Sequence, residues 1–521
     1  MRAEHFSNPV CQTNCFANLS GPFLAVSHNI NQPYNQALRT GLHQAFPNYQ
    51  SIAFLPRIGF AYQPFGSGNT TVIRAGFGMF ADVFPGTVAS AFDTNSPLKN
   101  QFIASGLPWA PGVANNAQSA TAASNAAFLK GFATGQSFPQ ISATTPLFTP
   151  PGFTNPAHRV NYPKYLQWNF EVQQPLGPKS ALSISYVGNH GYDEPAQNSG
   201  LNAFCNSTIL PFQPAGTTPC TTALGIRSFV GLPTSPIDPR FSTITEIGSP
   251  AVSNYNGLIV TFARRFASLQ IQANYAWSHA LDEISNGGFL PFNFRTNFSP
   301  LVQQDPFNLR RFTYGNADYD VRQNFSMNYV YDTPKYKGLV GFLTSWTISG
   351  NVFTRTGFPF TVVDSAGTSA LSAFNYGGGL ANAGAFLYGN QVGPTPKSCG
   401  RGAIFRPCVT SAEFLPAVGP AISGFGNQRR NQIYGPSFID TDIAVMKNIP
   451  LRHPEGARFQ IGLQAFNVLN HPNFDQPTGD VSSPQFGTVN RTVSVPTSIL
   501  GSFLGGNASP RMLQVRAAFQ F

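Results

Sequence analysis

The chain has 521 residues, a formal net charge of +10, 10% charged residues and 13% aromatic residues. Soluble proteins usually carry about 25% charged residues, and a soluble surface with so few charges is poorly protected against association. The aromatic content argues against a disordered chain, because disorder is typical of sequences that are rich in charge and poor in aromatics.

With the soluble and disordered classes disfavoured, the composition is typical of a membrane protein. The sequence contains no apolar run of about 18 residues, so it predicts no transmembrane helix. In lipid every backbone N–H and C=O needs an internal partner, and a spanning chain without helices must therefore form a β-barrel. Residues Met1 to His5 lack the apolar segment of an export signal. Because an outer-membrane protein must be exported, we expect a fragment of a longer protein, with 1–53 as the remnant of an extracellular loop and 54–521 as barrel.

Apolar and polar residues alternate in about eleven segments, which is the pattern of strands that bury one face. Each predicted strand has roughly nine to eleven residues, the length that a tilted strand needs to cross a bilayer. The alternating segments are Arg57–Gln63, Ile73–Met79, Leu166–Gln173, Leu182–Tyr186, Leu258–Phe262, Leu269–Ser278, Asn324–Tyr331, Trp346–Val352, Ile439–Val445, Phe459–Gln464 and Leu513–Phe521.

The two predicted faces differ in a way that favours a barrel over a β-sandwich. One face is rich in Gln, Asn and Ser, as a water-filled lumen would be, and the other carries Phe, Tyr and Trp. Aromatic residues near strand ends occupy positions typical of an interfacial belt: Tyr275, Trp277, Tyr329, Tyr331 and Trp346. The predicted lumen-facing residues are Arg57, Arg74, Gln167, Asn169, Glu171, Asp440, Asp442, Gln514 and Arg516.

The predicted connections alternate between short and long. Long ones run from about Asp82 to Pro163, His190 to Asn254, Ala280 to Arg322, Gly357 to Pro436 and Asn470 to Pro510. Short periplasmic turns and long extracellular loops are typical of outer-membrane barrels. The final strand then runs towards the periplasm and ends at Phe521. Since bacterial single-chain barrels usually have an even number of strands, eleven strands indicate either a missing N-terminal portion or an unrecognised strand.

The six cysteines form three close pairs, each inside one predicted irregular region. These pairs are Cys11 with Cys15, Cys205 with Cys220, and Cys399 with Cys408. We favour three local disulfides formed in an oxidising compartment, with free thiols as the alternative. Zinc ligation would need Cys-x2-Cys pairs or nearby histidines, which are missing.

The basic residues are scattered and form no nucleic-acid-binding motif, so we expect no nucleic-acid partner. Four arginines fall in a predicted outer loop: Arg401, Arg406, Arg429 and Arg430. They could meet anionic lipid head groups, although ordinary solvation is the favoured interpretation.

No catalytic signature is present. The sequence has no GxSxG, no Walker-type loop and no HExxH, so we expect neither an enzyme nor a cofactor. His190 and His279 are interpreted as structural. The carboxylates of Glu171, Asp440 and Asp442 are expected to pair with lumen arginines, or else to line a substrate path.

Several segments together resemble the barrel of TonB-dependent receptors of the Oar-like type. They include PRIGFAYQP followed by TVIRAGFGMFAD, YLQWNFEVQQPLG, ALSISYVGNHG, YNGLIVTFARRF, NYAWSHALDE, ADYDVRQNF and RFQIGLQAFNVLNHPNF. The resemblance covers about Phe54 to Phe521. It implies an energised transporter whose complete barrel has twenty-two strands, of which this chain is similar to the C-terminal half.

The resemblance also implies partners. They are outer-membrane lipid, the barrel assembly machinery through the strand ending at Phe521, an unknown solute or protein substrate, and TonB only through a plug domain that this sequence lacks. We therefore expect a transport or receptor barrel in the outer membrane of a Gram-negative-type bacterium. A surface adhesion or anchoring barrel and a non-functional gene remnant are the alternatives.

Overall fold

The computed structural model describes most of the chain. The described residues are 2–520 apart from 6–7, 9, 12–14, 51, 67–70, 84–90, 109–115, 146, 159, 199, 203–234, 267, 284, 286–309, 311–312, 335–343, 366–386, 417, 420–421, 424–425, 452–456 and 494–509. Phe521, Cys205 and Cys220, which the sequence analysis singled out, lie outside the described residues.

The fold is one large antiparallel sheet in which each strand pairs with its neighbours in sequence. Eleven strands form this path, which confirms the predicted number and the all-β class. They are β1 (Arg57–Tyr62), β2 (Val72–Ala81), β3 (Lys164–Pro175), β4 (Ser180–Asn198), β5 (Ile244–Arg265), β6 (Leu269–Asp282), β7 (Gln323–Asp332), β8 (Trp346–Arg355), β9 (Phe438–Pro450), β10 (Arg458–Phe466) and β11 (Met512–Gln520). Two further short strands join the sheet, because Phe153–Pro156 pairs in parallel with β5 and Gly315–Asn316 pairs with β6.

The sheet is not closed within the part of the chain that the structure describes. Its edge strands are β1 and β11, and each pairs on one side only. Both edge strands lead away from the end of the sheet that carries the long connections, so they run in the same direction.

The connections are sorted by length, as predicted for an outer-membrane barrel. The short ones, at one end of the sheet, are 63–71, 176–179, 266–268, 333–345 and 451–457. The long ones, at the other end, are 82–163, 199–243, 283–322, 356–437 and 467–511. The predicted long segment from His190 to Asn254 is wrong at both ends, because β4 and β5 continue to pair well into it.

Strand lengths also depart from the predicted nine to eleven residues. Strands β4 and β5 have 19 and 22 residues, whereas the edge strand β1 has six. The extra length of β5 is supported at its outer end, where Ile244 and Ile247 are fully buried against the long connections. Burial of this apolar surface favours continued pairing where a loop was expected.

The long connections contain their own short elements. The helices are α1 (Tyr34–Ala37), α2 (Ala117–Ala133) and α3 (Phe138–Thr144), with 3-10 turns at Phe23–Ala25 and Arg401–Ile404. Small strand pairs join Arg2–His5 to Ile52–Leu55, Phe16–Leu19 to Leu38–Leu42, Pro359–Phe360 to Ile433–Tyr434, Val363–Asp364 to Leu387–Tyr388, Asn390–Gln391 to Phe414–Leu415, and Val418–Gly419 to Ile422–Ser423. Among the described residues, no helix combines the length and the apolarity needed to span a bilayer.

Candidate functional site: the polar face and the outer layer

The pairing register places the predicted lumen-facing residues on one face of the sheet. Arg57 pairs with Gly78, which pairs with Gln167, and successive pairs carry the same face across to β11. The nine residues Arg57, Arg74, Gln167, Asn169, Glu171, Asp440, Asp442, Gln514 and Arg516 all fall on it. We call this the polar face.

Side chains on the polar face bond to each other across neighbouring strands. Arg74 donates to Gln173 at 2.8 Å and lies 3.9 Å from Glu171. Ser183 in turn donates to Glu171 at 2.6 Å. Cross-strand pairs of this kind stabilise a sheet and fix its register, so this part of the polar face is internally satisfied.

Another polar ladder crosses the middle of the sheet. Thr261 donates to Asn274 at 3.1 Å, and Asn274 donates to Ser326 at 3.4 Å. Further along, Asn351 donates to Asp442 at 3.1 Å. In the described part of the chain, the predicted carboxylate–arginine pairing is present for Glu171 with Arg74, and no such ion pair joins Asp440 or Asp442 to Arg57 or Arg516.

The opposite, apolar face is exposed. Ile58, Leu513 and Val515 are 75%, 73% and 70% exposed. Exposed apolar patches of more than a few hundred Å² are rare on soluble monomers and mark a surface that something apolar covers. The apolar side chains therefore do not pack against each other in a closed interior.

Aromatic residues lie at both ends of the apolar face. Tyr331 and Trp346 lie at the end with short connections, one near the end of β7 and the other at the start of β8. Trp277 pairs with Gln323, the first residue of β7, and so lies at the opposite end. This is the distribution expected of interfacial belts.

At the outer end, the long connections pack into a hydrophobic cluster that we call the outer core. It draws on the N-terminal segment and on connections 82–163 and 199–243: Ala17, Leu19, Phe23, Tyr34, Leu38, Phe128, Phe138, Ile141, Phe148, Phe153, Leu201, Phe241 and Ile244. Tyr34 lies at its centre, with ring centroids 5.4 Å from Phe138 and 6.2 Å from Phe128. The N-terminal region expected as a loop remnant is thus folded against the other loops.

A second cluster joins connection 356–437 to connection 467–511. Its buried members are Phe360, Val362, Cys399, Val409, Phe414 and Ile433, with Val481 and Phe486 packed against them. The long connections at this end therefore form a folded outer layer, which we define as the described residues of the long connections and of the segment 8–50.

Arg430 ties this second cluster to connection 283–322. Its side chain is fully buried, forms an ion pair with Asp282, lies 3.3 Å from Asp318, and donates to the Thr313 carbonyl at 2.8 Å. Burial lowers the pKa of Arg430 to about 9, so the guanidinium stays charged at neutral pH beside two carboxylates.

The interpretation of Arg430 as a solvated or lipid-facing residue is wrong. A side chain can be buried when partners compensate its charge, and only the tertiary fold brings Asp282 and Asp318 to it. Arg401, Arg406 and Arg429 are exposed. Arg401 also lies 3.3 Å from His471.

Two of the expected disulfides are present. Cys11 bonds Cys15, and Cys399 bonds Cys408. The second closes a nine-residue separation inside the second cluster, where Cys399 is fully buried.

The two histidines have amide partners. His190 Nδ1 lies 2.8 Å from Asn254 Oδ1, and His279 Nε2 lies 2.8 Å from Asn316 Oδ1. These contacts fit structural roles. Over the described ranges, no group of three or more His, Cys, Asp or Glu side chains could hold a metal ion.

Sequence reasoning missed two polar-face residues at the outer end. Asn189 pairs with Gln167, and Tyr255 pairs with Asn189. Together with Arg57, Gly78 and Gln167 they form a row of cross-strand partners that spans the five strands β1 to β5. The signal was available, since period-two counting from Leu182–Tyr186 and Leu258–Phe262 assigns both residues to the polar face.

The comparison with protein families supports an outer-membrane barrel. The family model described as an outer membrane beta barrel domain matches residues 1–514. No curated protein matches the sequence.

Solved structures are similar only at low identity. The outer membrane transporter YddB from Escherichia coli is 8% identical, with a TM-score of 0.37 over 83% of this chain and 38% of its own. The FrpB iron transporter from Neisseria meningitidis is 9% identical, with a TM-score of 0.33 over 85% of this chain and 38% of its own. BauA, the ferric preacinetobactin receptor from Acinetobacter baumannii, is 9% identical, with a TM-score of 0.35 over 93% of this chain and 38% of its own. The chain spans less than half the length of each.

The family match covers nearly the whole chain, and the sheet has the exposed apolar face, the polar face and the sorted connections that such a barrel requires. The protein is located in the outer membrane of a Gram-negative-type bacterium. The chain belongs to the family of outer membrane beta barrel domains.

Proposed function

We propose that this chain forms part of a transport barrel, in which the polar face lines an aqueous path and the outer layer receives the solute. The observation that carries the proposal is the polar face, which continues from strand to strand across all eleven strands of the sheet. In outer-membrane barrels such a face lines a polar interior, which is a water-filled channel in the porins. The finer assignment, an Oar-like TonB-dependent receptor for large solutes, rests on the segments quoted from the sequence.

Closure of the barrel needs further strands in this proposal. Edge strands β1 and β11 run in the same direction, so pairing them directly would make a parallel seam. An antiparallel barrel is completed only by an odd number of additional strands between them, which also gives the even total usual for bacterial barrels. Two copies of this sheet in the same orientation would face the same parallel mismatch at both seams.

We also propose how the remaining partners act. Strand β11 is the recognition element for the barrel assembly machinery, and contact with TonB requires a plug domain beyond the segments described above. A complex purified from outer membranes should contain the additional strands. A monodisperse barrel made of the described sheet alone, with the β11 amides protected from hydrogen exchange, would contradict this closure.

Transport is tested with the protein in its native assembly, isolated from outer membranes and reconstituted in liposomes. We expect isotonic solutes to swell these liposomes faster than empty ones. Two adjacent positions in β7 give a matched pair. Attaching a bulky thiol reagent to the Asn328→Cys variant, on the polar face, should slow swelling, whereas the same reagent on Met327→Cys, on the apolar face, should not. Inserted protein without solute flux would rule out an open, passive path along the polar face.

A surface-recognition function is the second candidate, and the folded outer layer favours it. Loops packed into the outer core are ordered in advance, which lowers the entropic cost of binding a partner. Specific binding of intact cells or matrix proteins by a protein that shows no flux would favour recognition over transport.

A further inference from the structure

A cavity of about 450 Å³ opens on the polar face near its outer end. Its volume lies within the roughly 300–1,000 Å³ typical of small-molecule sites. The side chains that matter for its chemistry are those of Arg57, Phe80, Gln167, Asn169, Asn189 and Tyr255. We call this cavity the niche.

The niche is built on one row of the sheet. Arg57, Gly78, Gln167, Asn189 and Tyr255 are successive cross-strand partners on β1 to β5. Because β1 starts at the end with the long connections and Arg57 is its first residue, this row lies close to the outer layer. A solute that entered past the long connections would meet it early.

Two glycines of β2 give the niche its depth. A Cβ atom at Gly76 would lie 2.6 Å from Asn169 Oδ1, and one at Gly78 would lie 2.9 Å from the Phe80 ring. Both distances are too short for real contacts. The glycines therefore let the Asn169 amide and the Phe80 ring lie across β2 and shape the wall of the cavity.

The polar groups of the niche have unused hydrogen-bonding capacity. Asn189 Oδ1 is buried and has no hydrogen-bond partner. The side chains of Arg57, Gln167, Asn169 and Tyr255 form no hydrogen bond with any residue that the structure describes. By contrast, Arg74, Glu171, Asn274 and Asn351 on the same face are paired with neighbours. A buried polar atom left unpaired costs free energy, which a ligand can recover.

The chemistry of these groups indicates the ligand class. Arg57 Cζ lies over the Phe80 ring, 4.2 Å from its centroid. A guanidinium can pair with a carboxylate through two parallel N–H donors. Three amides and one phenol, each able to donate and accept, suit neighbouring hydroxyl groups.

We propose that the niche is a subsite for a hydroxyl-rich solute that carries a carboxylate, such as a uronic-acid saccharide. The inference rests on the proposed function, because the polar face must be in water for such a solute to arrive. It adds the substrate class and the residues that recognise it.

The test is calorimetric titration of the native assembly with digalacturonate and, as a neutral disaccharide of similar size, lactose. We expect digalacturonate to bind more tightly. Asn189→Ala should weaken binding of both by up to about tenfold, the value of one neutral hydrogen bond. Arg57→Gln should weaken digalacturonate by about ten- to a hundredfold, because its bond is charged, and leave lactose unchanged. Gly78→Leu should abolish binding of both by filling the niche.

The matched control is Asn274→Ala, which removes the same residue type from the same face where the amide is already paired. It should leave both affinities unchanged. An equal loss in this variant, or no effect of Arg57→Gln on digalacturonate, would overturn the subsite. Circular dichroism of each variant should show an unchanged β-sheet content, which separates loss of binding from loss of fold.

Failure of the subsite and failure of the proposed function give different results. A membrane-impermeant thiol reagent should label Asn328→Cys, which lies on the polar face away from the niche. Labelling without any binding of digalacturonate would reject the subsite and leave the aqueous path intact. No labelling of the inserted protein would reject both.

Discussion

Replacing Arg430 by methionine should loosen the outer layer while the membrane-spanning sheet stays folded. Arg430 is fully buried and contacts two carboxylates and two backbone carbonyls from connection 283–322 and the end of β6. Arg430→Met removes the cation and leaves Asp282 and Asp318 buried without it. Breaking a buried ion pair from one side costs about 3–5 kcal/mol, because an uncompensated charge remains.

The lost free energy should appear as more frequent local unfolding of the outer layer around Arg430. Amides that hold this region include Asn431 N–H, which donates to Thr361 Oγ1 at 2.9 Å, and Ala317 N–H, which donates to the Ala280 carbonyl at 3.0 Å. A loss of about 3–5 kcal/mol accelerates exchange of such amides by roughly 10²- to 10⁴-fold where local opening controls it. Hydrogen exchange followed by mass spectrometry measures this, and the amides of β7 and β8 serve as the internal reference.

The neighbouring residue gives the matched control. Arg429 is exposed, so Arg429→Met should change exchange by less than about threefold, consistent with the small effects of most surface substitutions. If Arg430→Met accelerated exchange no more than Arg429→Met did, the buried ion network would not hold the outer layer together, and the reasoning from burial and charge would be refuted.

Three further predictions concern the outer core, the second cluster and the two faces of the sheet. Phe128→Ala should destabilise the outer layer by about 3–5 kcal/mol, because Phe128 is fully buried and its loss leaves a cavity; limited proteolysis of 82–163 should speed up, and unchanged cleavage would contradict the packing. Cys399→Ser should cost the second cluster about 2.5 kcal/mol from loop entropy over its nine-residue separation, seen as faster cleavage in 397–415 that reducing agent reproduces in the parent protein. Val260→Arg, on the apolar face of β5, should lower the free energy of unfolding of the native assembly in lipid vesicles by about 2–4 kcal/mol. Asn274→Arg, on the polar face, should change this free energy little, and equal losses in the two variants would argue against the assignment of faces.

The spanning sheet could be read from the sequence because alternation reports directly which face a side chain occupies. Segments such as Asn324–Tyr331 and Leu269–Ser278 carry that signal residue by residue. The paired strands keep the same parity, with Asn274 opposite Ser326 and Ala273 opposite Met327.

The outer layer could be predicted only in part. Helix α2 had a local signal, since it is rich in alanine and Asn116 caps it by accepting from the Ser119 N–H at 2.7 Å. The burial of Arg430 had none, because its partners are more than a hundred residues away in sequence. The niche could be predicted in part. The period-two alternation assigns its residues to one face, but only the pairing register places Arg57, Gln167 and Asn189 in one row.

The most direct test of the two-faced sheet is a nitroxide scan of β7 in lipid bilayers. Each residue from Asn324 to Tyr331 is replaced in turn by a spin-labelled cysteine, and its collision rates with oxygen, which is concentrated in lipid, and with a water-soluble nickel complex are recorded. Oxygen collisions should peak at Phe325, Met327, Tyr329 and Tyr331, and nickel collisions at Asn324, Ser326 and Asn328, so that the two profiles alternate every second residue and out of phase. Profiles that rise and fall together, or nickel maxima at Met327 and Tyr329, would show that the apolar side does not face lipid.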